Sequence, residues 1–168
     1  MKFGRGFSLF TIFCTFSIIG CAVKTNKIQC GQTISAISQP EIEYIDKTFT
    51  LKWFKAPTES IYFGDVKPVT ASYIFLGSKY YGQAYTIVGK DNISAVLEYF
   101  SKKVKEFYKD DAESNPFAHP TSKGHFWFFF QPEKVIILKR YTVHTAQLEV
   151  LCRDRWEQLG YKNIIEIK

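Results

Sequence analysis

The chain has 168 residues, of which 46% are hydrophobic and 23% charged, and its formal net charge is +6. This length suits one domain of ordinary size and excludes a second large one. Basic and acidic side chains are interspersed, as in Lys102–Glu106, so nothing indicates the basic stripe of a nucleic-acid-binding protein.

The first twenty residues have the build of a secretory signal. Lys2 and Arg5 precede an apolar stretch from Phe7 to Ile19, and the small residue Gly20 stands directly before Cys21. An uncleaved transmembrane anchor is the alternative, but this stretch is shorter than the roughly 20 residues that cross a bilayer as a helix. The sequence therefore predicts a cleaved signal.

The run Ile18-Ile19-Gly20-Cys21 resembles the lipobox of bacterial lipoproteins, in which an aliphatic residue, a variable residue and Gly or Ala precede the Cys. The resemblance implies that cleavage follows Gly20 and that Cys21 carries the lipid. Two or three acyl chains make membrane attachment effectively permanent. The alternative is an ordinary secreted protein in which Cys21 is a plain thiol.

Ala22 bears on where such a lipoprotein would reside. In diderm bacteria, Asp after the lipidated Cys is the usual signal for retention in the inner membrane, and this chain carries Ala there. The resemblance therefore implies the outer membrane, with the protein facing the periplasm. In that compartment we expect the membrane and another envelope protein as partners, and no nucleic acid.

Three segments follow from this interpretation. Residues 1–20 are the signal peptide, 21–40 the lipidated N-terminus with a polar tether, and 41–168 a globular domain. Because the signal contains Lys2 and Arg5 and no acid, its removal lowers the net charge by two and leaves the mature chain mildly basic.

The four cysteines reduce to one pair in the mature domain. Cys14 leaves with the signal and Cys21 carries the lipid, so Cys30 and Cys152 remain. An even pair in an oxidising compartment predicts a disulfide that ties the tether to the C-terminal part of the domain. The alternative is two free thiols, with Cys152 buried as a small apolar residue.

Strands dominate the first half of the domain. Alternating polar and apolar residues predict a half-buried strand over Lys47–Trp53, and a short strand follows at Ile61–Phe63. Two β-rich runs, Thr70–Leu76 and Ala84–Val88, stand on either side of Gly77–Gly82 and predict a hairpin.

The hydrophobic period then becomes that of a helix over about residues 92–108. Apolar residues recur three or four apart behind Asp91-Asn92, which we expect to supply a side-chain acceptor to the amides of the first turn. The apolar stripe comprises Ile93, Val96, Leu97, Phe100, Val104 and Phe107. We expect the stripe to lie against the sheet and the other side of the helix to face solvent.

After the loop Asp110–Lys123, the apolar runs Phe126–Phe130 and Val135–Leu138 predict a second hairpin of buried strands. Apolar residues at helical spacing then predict a helix from Thr145 to Gly160, although Tyr141–Val150 can also be read as a strand. A last short strand over residues 163–167 is an option.

The fold class predicted from this order is α+β. Clustered strands and few helices indicate a single domain with an antiparallel sheet and about two helices packed on one face.

Candidate catalytic and metal-binding residues are sparse. The sequence lacks the common nucleophile, zinc-protease and phosphate-loop motifs. His119 and His125 could hold a metal with Asp110, Asp111 or Glu113 only if the loop folded back on itself, and their spacing matches no metal-site pattern. We expect no cofactor, no metal and no enzymatic activity.

The best candidates for a contact surface are aromatic, because rigid aromatic side chains dominate protein interfaces. Tyr80 and Tyr81 stand in a predicted turn between glycines, where exposed rings have no packing role. The later loop supplies Phe117, His119 and His125.

Three functions compete for a domain of this kind. A non-enzymatic envelope lipoprotein that binds another protein, of the assembly, secretion-machine or immunity type, needs only an anchor, a rigid domain and a surface patch. A glycan- or peptidoglycan-binding or modifying lipoprotein is the alternative and would place aromatics and carboxylates around a groove. A ligand-binding lipoprotein would enclose an apolar cavity between helix and sheet. We expect the first.

Overall fold

A computed structural model describes most of the domain as one antiparallel sheet with two short helices. The residues described are 28–37, 41–46, 51–104, 106–111 and 124–159. The strands are β1 (Ile42–Asp46), β2 (Leu51–Ala56), β3 (Thr70–Leu76), β4 (Lys79–Val88), β5 (Glu106–Asp111), β6 (His125–Phe130), β7 (Lys134–Arg140) and β8 (Thr145–Cys152). The helices are α1 (Lys90–Lys103) and α2 (Arg153–Gln158), and a single turn of 3-10 helix spans Ile34–Ala36.

The strand order across the sheet is β1-β2-β3-β4-β8-β7-β6-β5. Strands β1 to β4 form one meander and β5 to β8 a second, and the two meanders join where β4 pairs with β8. Both predicted hairpins are present, β3 with β4 and β6 with β7. The antiparallel sheet that the sequence predicted is therefore confirmed, with more strand and less helix than expected.

The sheet has two ends that differ in chemistry. At one end β4 begins and β8 finishes, and we call this the disulfide end because it carries Cys152. At the other end Val88 of β4 pairs with Thr145 of β8, and we call this the far end. Helix α1 starts at the far end and finishes at the disulfide end, where β5 begins.

The two helices pack on opposite faces of the sheet, which corrects the predicted placement of both on one face. Successive side chains of a strand point to opposite faces. On β6, Trp127 and Phe129 share a buried cluster with α1, whereas Phe126 and Phe128 share another with Trp156 of α2. Both faces therefore need apolar side chains, which explains the continuous apolar run of β6.

Helix α1 buries part of the predicted stripe and ends earlier than predicted. Ile93, Val96 and Phe100 are buried and Val104 follows the last turn, so the helix does not reach residue 108. The chain continues as edge strand β5, where the Phe107 ring stacks on Phe129 with centroids 5.4 Å apart. Pairing with β6 therefore overrides the helical period of the sequence.

The start of α1 also differs from the prediction. The N-cap residue is Gly89, with φ 102°, and no side chain caps the helix. The Asn92 side chain instead donates a hydrogen bond from Nδ2 to the Val88 carbonyl at 2.8 Å. Positive φ at this position suits glycine, which can turn the chain directly from β4 into the helix.

The second predicted helix is mostly strand. Thr145–Cys152 is β8, which pairs on both sides with β4 and β7, and only Arg153–Gln158 is helical. The strand alternative weighed for Tyr141–Val150 is therefore correct for Thr145–Val150, whereas residues 141–144 form the turn that precedes β8. The region predicted as a last strand, 163–167, lies outside the described residues.

Two other segments depart from expectation. Ile61–Phe63 is not a strand, and Phe63 instead makes an isolated bridge to Val66 and packs on Tyr85 at 5.0 Å between ring centroids. Ile28 and Ile34, assigned to the tether, pack against a buried cluster of the domain. Fixed structure thus begins ahead of residue 41. Neither helix in the described part of the chain is long and apolar enough to cross a bilayer.

Candidate functional site

The disulfide end fixes the N-terminal segment to the sheet. Cys30 and Cys152 form a disulfide with Cα atoms 5.9 Å apart, which is the pair that the sequence predicted. Beside it, the Gly31 amide donates to the Tyr80 carbonyl at 3.0 Å and the Tyr80 amide donates to the Gln32 carbonyl at 2.7 Å. The chain from residue 30 is thus held by one covalent bond and by backbone hydrogen bonds at the start of β4.

Tyr80 and Tyr81 are buried, which overturns their selection as an exposed pair. Their exposed fractions are 7% and 1%. The Tyr80 ring packs edge-on against Phe75 at 5.7 Å between centroids, and burial, followed by the nearby Tyr85 and Tyr73 hydroxyls, raises the pKa of Tyr80. The pair is part of the core and presents no contact surface.

The other predicted site residues are separated by the structure or lie outside it. Cys21, Phe117 and His119 are outside the described residues. His125 is half-buried at the start of β6, where its ring lies 6.0 Å from that of Trp127. Among the residues described, no three His, Cys, Asp or Glu side chains come close enough together to hold a metal ion.

A groove of about 650 Å³ opens at the disulfide end, between the end of α1 and the turn that joins β6 to β7. Among the lining residues that the structure describes, three are basic and one is acidic. It is lined by Lys103, Val104, Phe130, Gln131, Pro132, Glu133, Lys134 and Arg153. The described lining therefore carries an excess of positive charge, which favours an anionic over a cationic partner.

Hydrogen bonds position the basic side chains of this groove. Arg153 donates from Nε to Oε1 of Glu157 at 3.0 Å and from Nη1 to the Gln131 carbonyl at 3.1 Å. The Lys103 ammonium donates to the Tyr99 hydroxyl at 2.7 Å and lies 4.0 Å from the centroid of that ring. Glu157 balances part of the Arg153 charge, so Lys103 and Lys134 supply most of the positive charge of the groove.

The far end of the sheet carries exposed apolar side chains instead. Val69, Val88 and Val143 are 61%, 46% and 58% exposed. Val88 pairs with Thr145 at the far end of β4 and β8, and Val143 lies in the turn just before Thr145. The Val69 amide donates a hydrogen bond to the carbonyl of Thr86, which is close to Val88 in β4. The three valines therefore lie at the same end of the sheet. Single exposed valines are ordinary, but three at one end form a candidate contact surface.

A second groove, of about 360 Å³, adjoins this end and includes Val69. The ion pair between Lys55 and Glu41, with Nζ and Oε2 3.5 Å apart, lies on the same groove. An apolar centre beside a charged rim is the usual composition of a protein-binding surface.

The sequence interpretation missed a buried ion pair. Lys139 of β7 and Glu149 of β8 are 4% and 3% exposed. Lys139 directly follows the run Val135–Leu138 that predicts a buried strand, and Glu149 lies in the segment predicted as a helix, so no local pattern indicated that the two residues pair. Burial, followed by the Glu149 carboxylate, raises the pKa of the Tyr141 hydroxyl, which donates a hydrogen bond to Oε1 of Gln147 at 2.7 Å. This cluster lies between paired strands and opens into none of the grooves described above.

Comparisons of the chain with protein-family models, with curated proteins and with solved structures find no match.

Proposed function

We propose that the chain is a non-enzymatic lipoprotein of the bacterial cell envelope, anchored through Cys21 in the outer membrane, that binds another envelope protein with the far end of its sheet. The observation that carries the proposal is the separation of two surfaces. The chain from the anchor enters at the disulfide end, and the exposed valines lie at the opposite end.

The length of the strands supports this separation of an anchored end from a partner-binding end. A strand rises about 3.3 Å per residue, so the ten residues of β4 set the two ends roughly 30 Å apart. A surface at that distance from the anchor is accessible to a partner in the periplasm. The disulfide and the backbone hydrogen bonds at Tyr80 hold residues 30–32 at the opposite end of the sheet.

Site-specific photo-crosslinking in intact cells tests the proposal. A photoreactive amino acid is placed at Val143, in the turn between β7 and β8 at the far end, and in a second strain at Ser78, in the turn between β3 and β4 at the disulfide end. Both positions are exposed turn residues, so Ser78 is a matched control. We expect one discrete protein to be captured from position 143 and not from position 78.

A second set of variants links the captured protein to the surface. Val69→Glu and Val88→Glu should each reduce capture at position 143 at least fivefold, because a charge on an apolar contact surface must be desolvated on binding. Ser78→Glu should leave capture unchanged. Equal capture from both turns would contradict the assignment of the far end.

The glycan-binding alternative has its own outcome. If no protein is captured from position 143 and the purified chain is retained on isolated cell wall, the chain is a glycan-binding lipoprotein. Among the described lining residues of the disulfide-end groove, the aromatic one is Phe130, which is 7% exposed and offers little ring surface to a sugar.

A further inference from the structure

The basic groove lies at the end of the domain that the anchor would hold nearest to the bilayer. This step rests on the proposed lipid anchor at Cys21. Nine residue steps separate Cys21 from Cys30, and an extended chain of that length reaches at most about 30 Å. Because the disulfide holds Cys30 beside Cys152, the residue before Arg153, the groove can lie no farther from the membrane surface than this short tether allows.

The charges of this end suit an anionic surface. Lys103 and Lys134 line the groove, and Lys79, which is exposed, starts β4 two strands away from β7. Two strand spacings amount to about 10 Å, so the three ammonium groups belong to one end of the molecule. Glu133 is the one carboxylate among the described lining residues, and Glu157 is engaged by Arg153.

We propose that this basic end docks on the phosphate groups of an anionic phospholipid bilayer, with one headgroup phosphate in the groove. A basic side chain near an anionic membrane strengthens attachment by about fivefold. Docking gives the lipid-anchored domain a fixed orientation, in which the far end points away from the membrane toward its partner.

Amine footprinting of the full lipidated chain tests the docking. The purified protein is added to preformed vesicles of phosphatidylcholine, or of phosphatidylcholine mixed with phosphatidylglycerol, and treated with a soluble acylating reagent. Peptide mass spectrometry gives the modification rate of each lysine. Lys103 and Lys90, at opposite ends of α1 and about 20 Å apart, are both exposed, so Lys90 is an internal control.

We expect Lys79, Lys103 and Lys134 to react at least about fivefold more slowly on the anionic vesicles than on the neutral ones. Lys90 should react at the same rate on both. High salt should remove the protection, because it screens the attraction between the exposed lysines and the headgroups. Equal rates at all four lysines on the two kinds of vesicle would overturn the docking.

The same experiment separates the docking from the anchor. A chain that fails to float with neutral vesicles contradicts the lipid anchor, whereas a chain that floats with them but shows no protection on anionic ones contradicts the docking alone. Inorganic phosphate is added to a further sample on neutral vesicles. If it protects Lys103 and Lys134 there, the groove binds a free anion and the bilayer proposal is wrong.

Variants identify the groove as the docking surface. In the double variant Lys103→Gln, Lys134→Gln, the protection of Lys79 on anionic vesicles should be lost, and in the matched variant Lys90→Gln it should persist. Lys103 is exposed and Lys134 half-buried, and an unchanged near-ultraviolet circular dichroism spectrum checks that the fold is kept. Protection of Lys79 that survives in the folded double variant would overturn the assignment of the groove.

Discussion

The Nζ atom of Lys139 lies 2.6 Å from Oε1 of Glu149, on neighbouring strands and almost completely buried. Two charges removed from water cost several kcal/mol each, and their attraction offsets that cost only while both are present. The pair therefore stabilises the sheet little as a unit but makes each partner depend on the other.

Removal of one partner should be far more damaging than removal of both. We expect Lys139→Met to lower the free energy of unfolding by about 3–5 kcal/mol, because it leaves the Glu149 carboxylate buried without its countercharge. The double variant Lys139→Met, Glu149→Leu should recover most of that loss. Urea unfolding followed by circular dichroism measures both.

The exposed ion pair of Lys102 and Glu98 on α1 is the control for this experiment. Its lysine is 73% exposed, so Lys102→Met should change stability little. A double variant of the buried pair that is as unstable as Lys139→Met would contradict the account of a mutually dependent pair.

The disulfide should contribute to stability and should be complete in the native protein. Alkylation without reduction is expected to leave Cys30 and Cys152 unmodified in mass spectrometry. Replacement by Cys30→Ser with Cys152→Ala, which keeps a small apolar residue at the buried position, should lower the free energy of unfolding by about 2–4 kcal/mol. Hydrogen exchange at the Gly31 amide should then accelerate, because the disulfide no longer holds this residue beside the Tyr80 carbonyl to which it donates.

Alkylation of both cysteines in the unreduced protein would contradict the prediction of a complete disulfide.

Gly82 should tolerate no side chain. A Cβ atom at this position would lie 2.4 Å from the Val150 carbonyl oxygen and 2.9 Å from the Leu151 Cα atom, both in the backbone of β8. Gly82→Ala must therefore push β4 and β8 apart and should cost about 1–3 kcal/mol of the free energy of unfolding. Thermal and urea unfolding measure the loss.

Gly77 provides the comparison for that substitution. It has φ +61° in the turn between β3 and β4, and a Cβ atom there meets nothing within 4 Å. Asn adopts this backbone conformation more readily than other residues with side chains, so Gly77→Asn should be much milder than Gly82→Ala. A larger loss of stability in Gly77→Asn than in Gly82→Ala would show that the close approach of β8 is not the reason for glycine at position 82.

Buried tyrosines should make the fold sensitive to alkali. Burial, with a smaller effect of the Tyr73 hydroxyl, raises the pKa of Tyr85 from 10.0 to about 12. Between these values the unfolded chain releases the Tyr85 proton and the folded chain keeps it, so the free energy of unfolding falls as the pH rises through this window. The stability linked to Tyr85 is complete below pH 10.

Replacement of Tyr85 by Phe should flatten part of this dependence. The urea midpoint of Tyr85→Phe should fall less steeply than that of the native protein as the pH is raised from about 10 to 12. Tyrosinate absorbance at equilibrium shows in parallel whether the buried hydroxyls ionise before unfolding. An identical slope in the two proteins would contradict the raised pKa of Tyr85.

The lipid anchor makes a prediction that does not depend on the fold. Cys21→Ser should abolish metabolic labelling of the chain with a fatty acid and release or mislocalise the domain, because the sulfur that would carry the lipid is gone. Cell fractionation with flotation of membranes provides the measurement. Cys30→Ser is the matched control and should keep the label. Unchanged attachment of the Cys21→Ser chain would refute the anchor.

Local patterns identified many of the strands and the disulfide pair. Runs of β-branched and aromatic residues bounded by turn residues predicted three of the strands correctly. These runs are Thr70–Leu76, Phe126–Phe130 and Val135–Leu138. Cys30 and Cys152 were found by elimination among four cysteines. The strands could be predicted because they depend on residues close together in the chain, and the disulfide because it depends on the number of cysteines.

The errors arose where distant pairing decides the structure. Leu148 and Leu151 fit a helical period as well as a strand, and only β4 and β7 on either side make this segment β8. Tyr80 and Tyr81 were assigned to a turn of six residues, whereas the chain turns within Gly77-Ser78 and carries both rings into the core. Turn length is set by the register of the strands, which composition does not reveal.

The contact surface and the basic groove could not be predicted from local sequence patterns for the same reason. Val69, Val88 and Val143 come from three separate parts of the chain and share an end only through the strand pairing. Lys103, Lys134 and Arg153 likewise meet only when α1, the β6–β7 turn and the end of β8 converge.

The pairing of β4 with β8 has a kinetic consequence. Each of the other neighbouring pairs among the described strands joins consecutive strands, so each meander can assemble from local contacts. The β4–β8 pairing must instead bring together segments from opposite sides of α1 in the chain, and the entropy of closing that long loop is lost before the contacts compensate for it. The protein should therefore fold at a rate set by the meeting of its two halves.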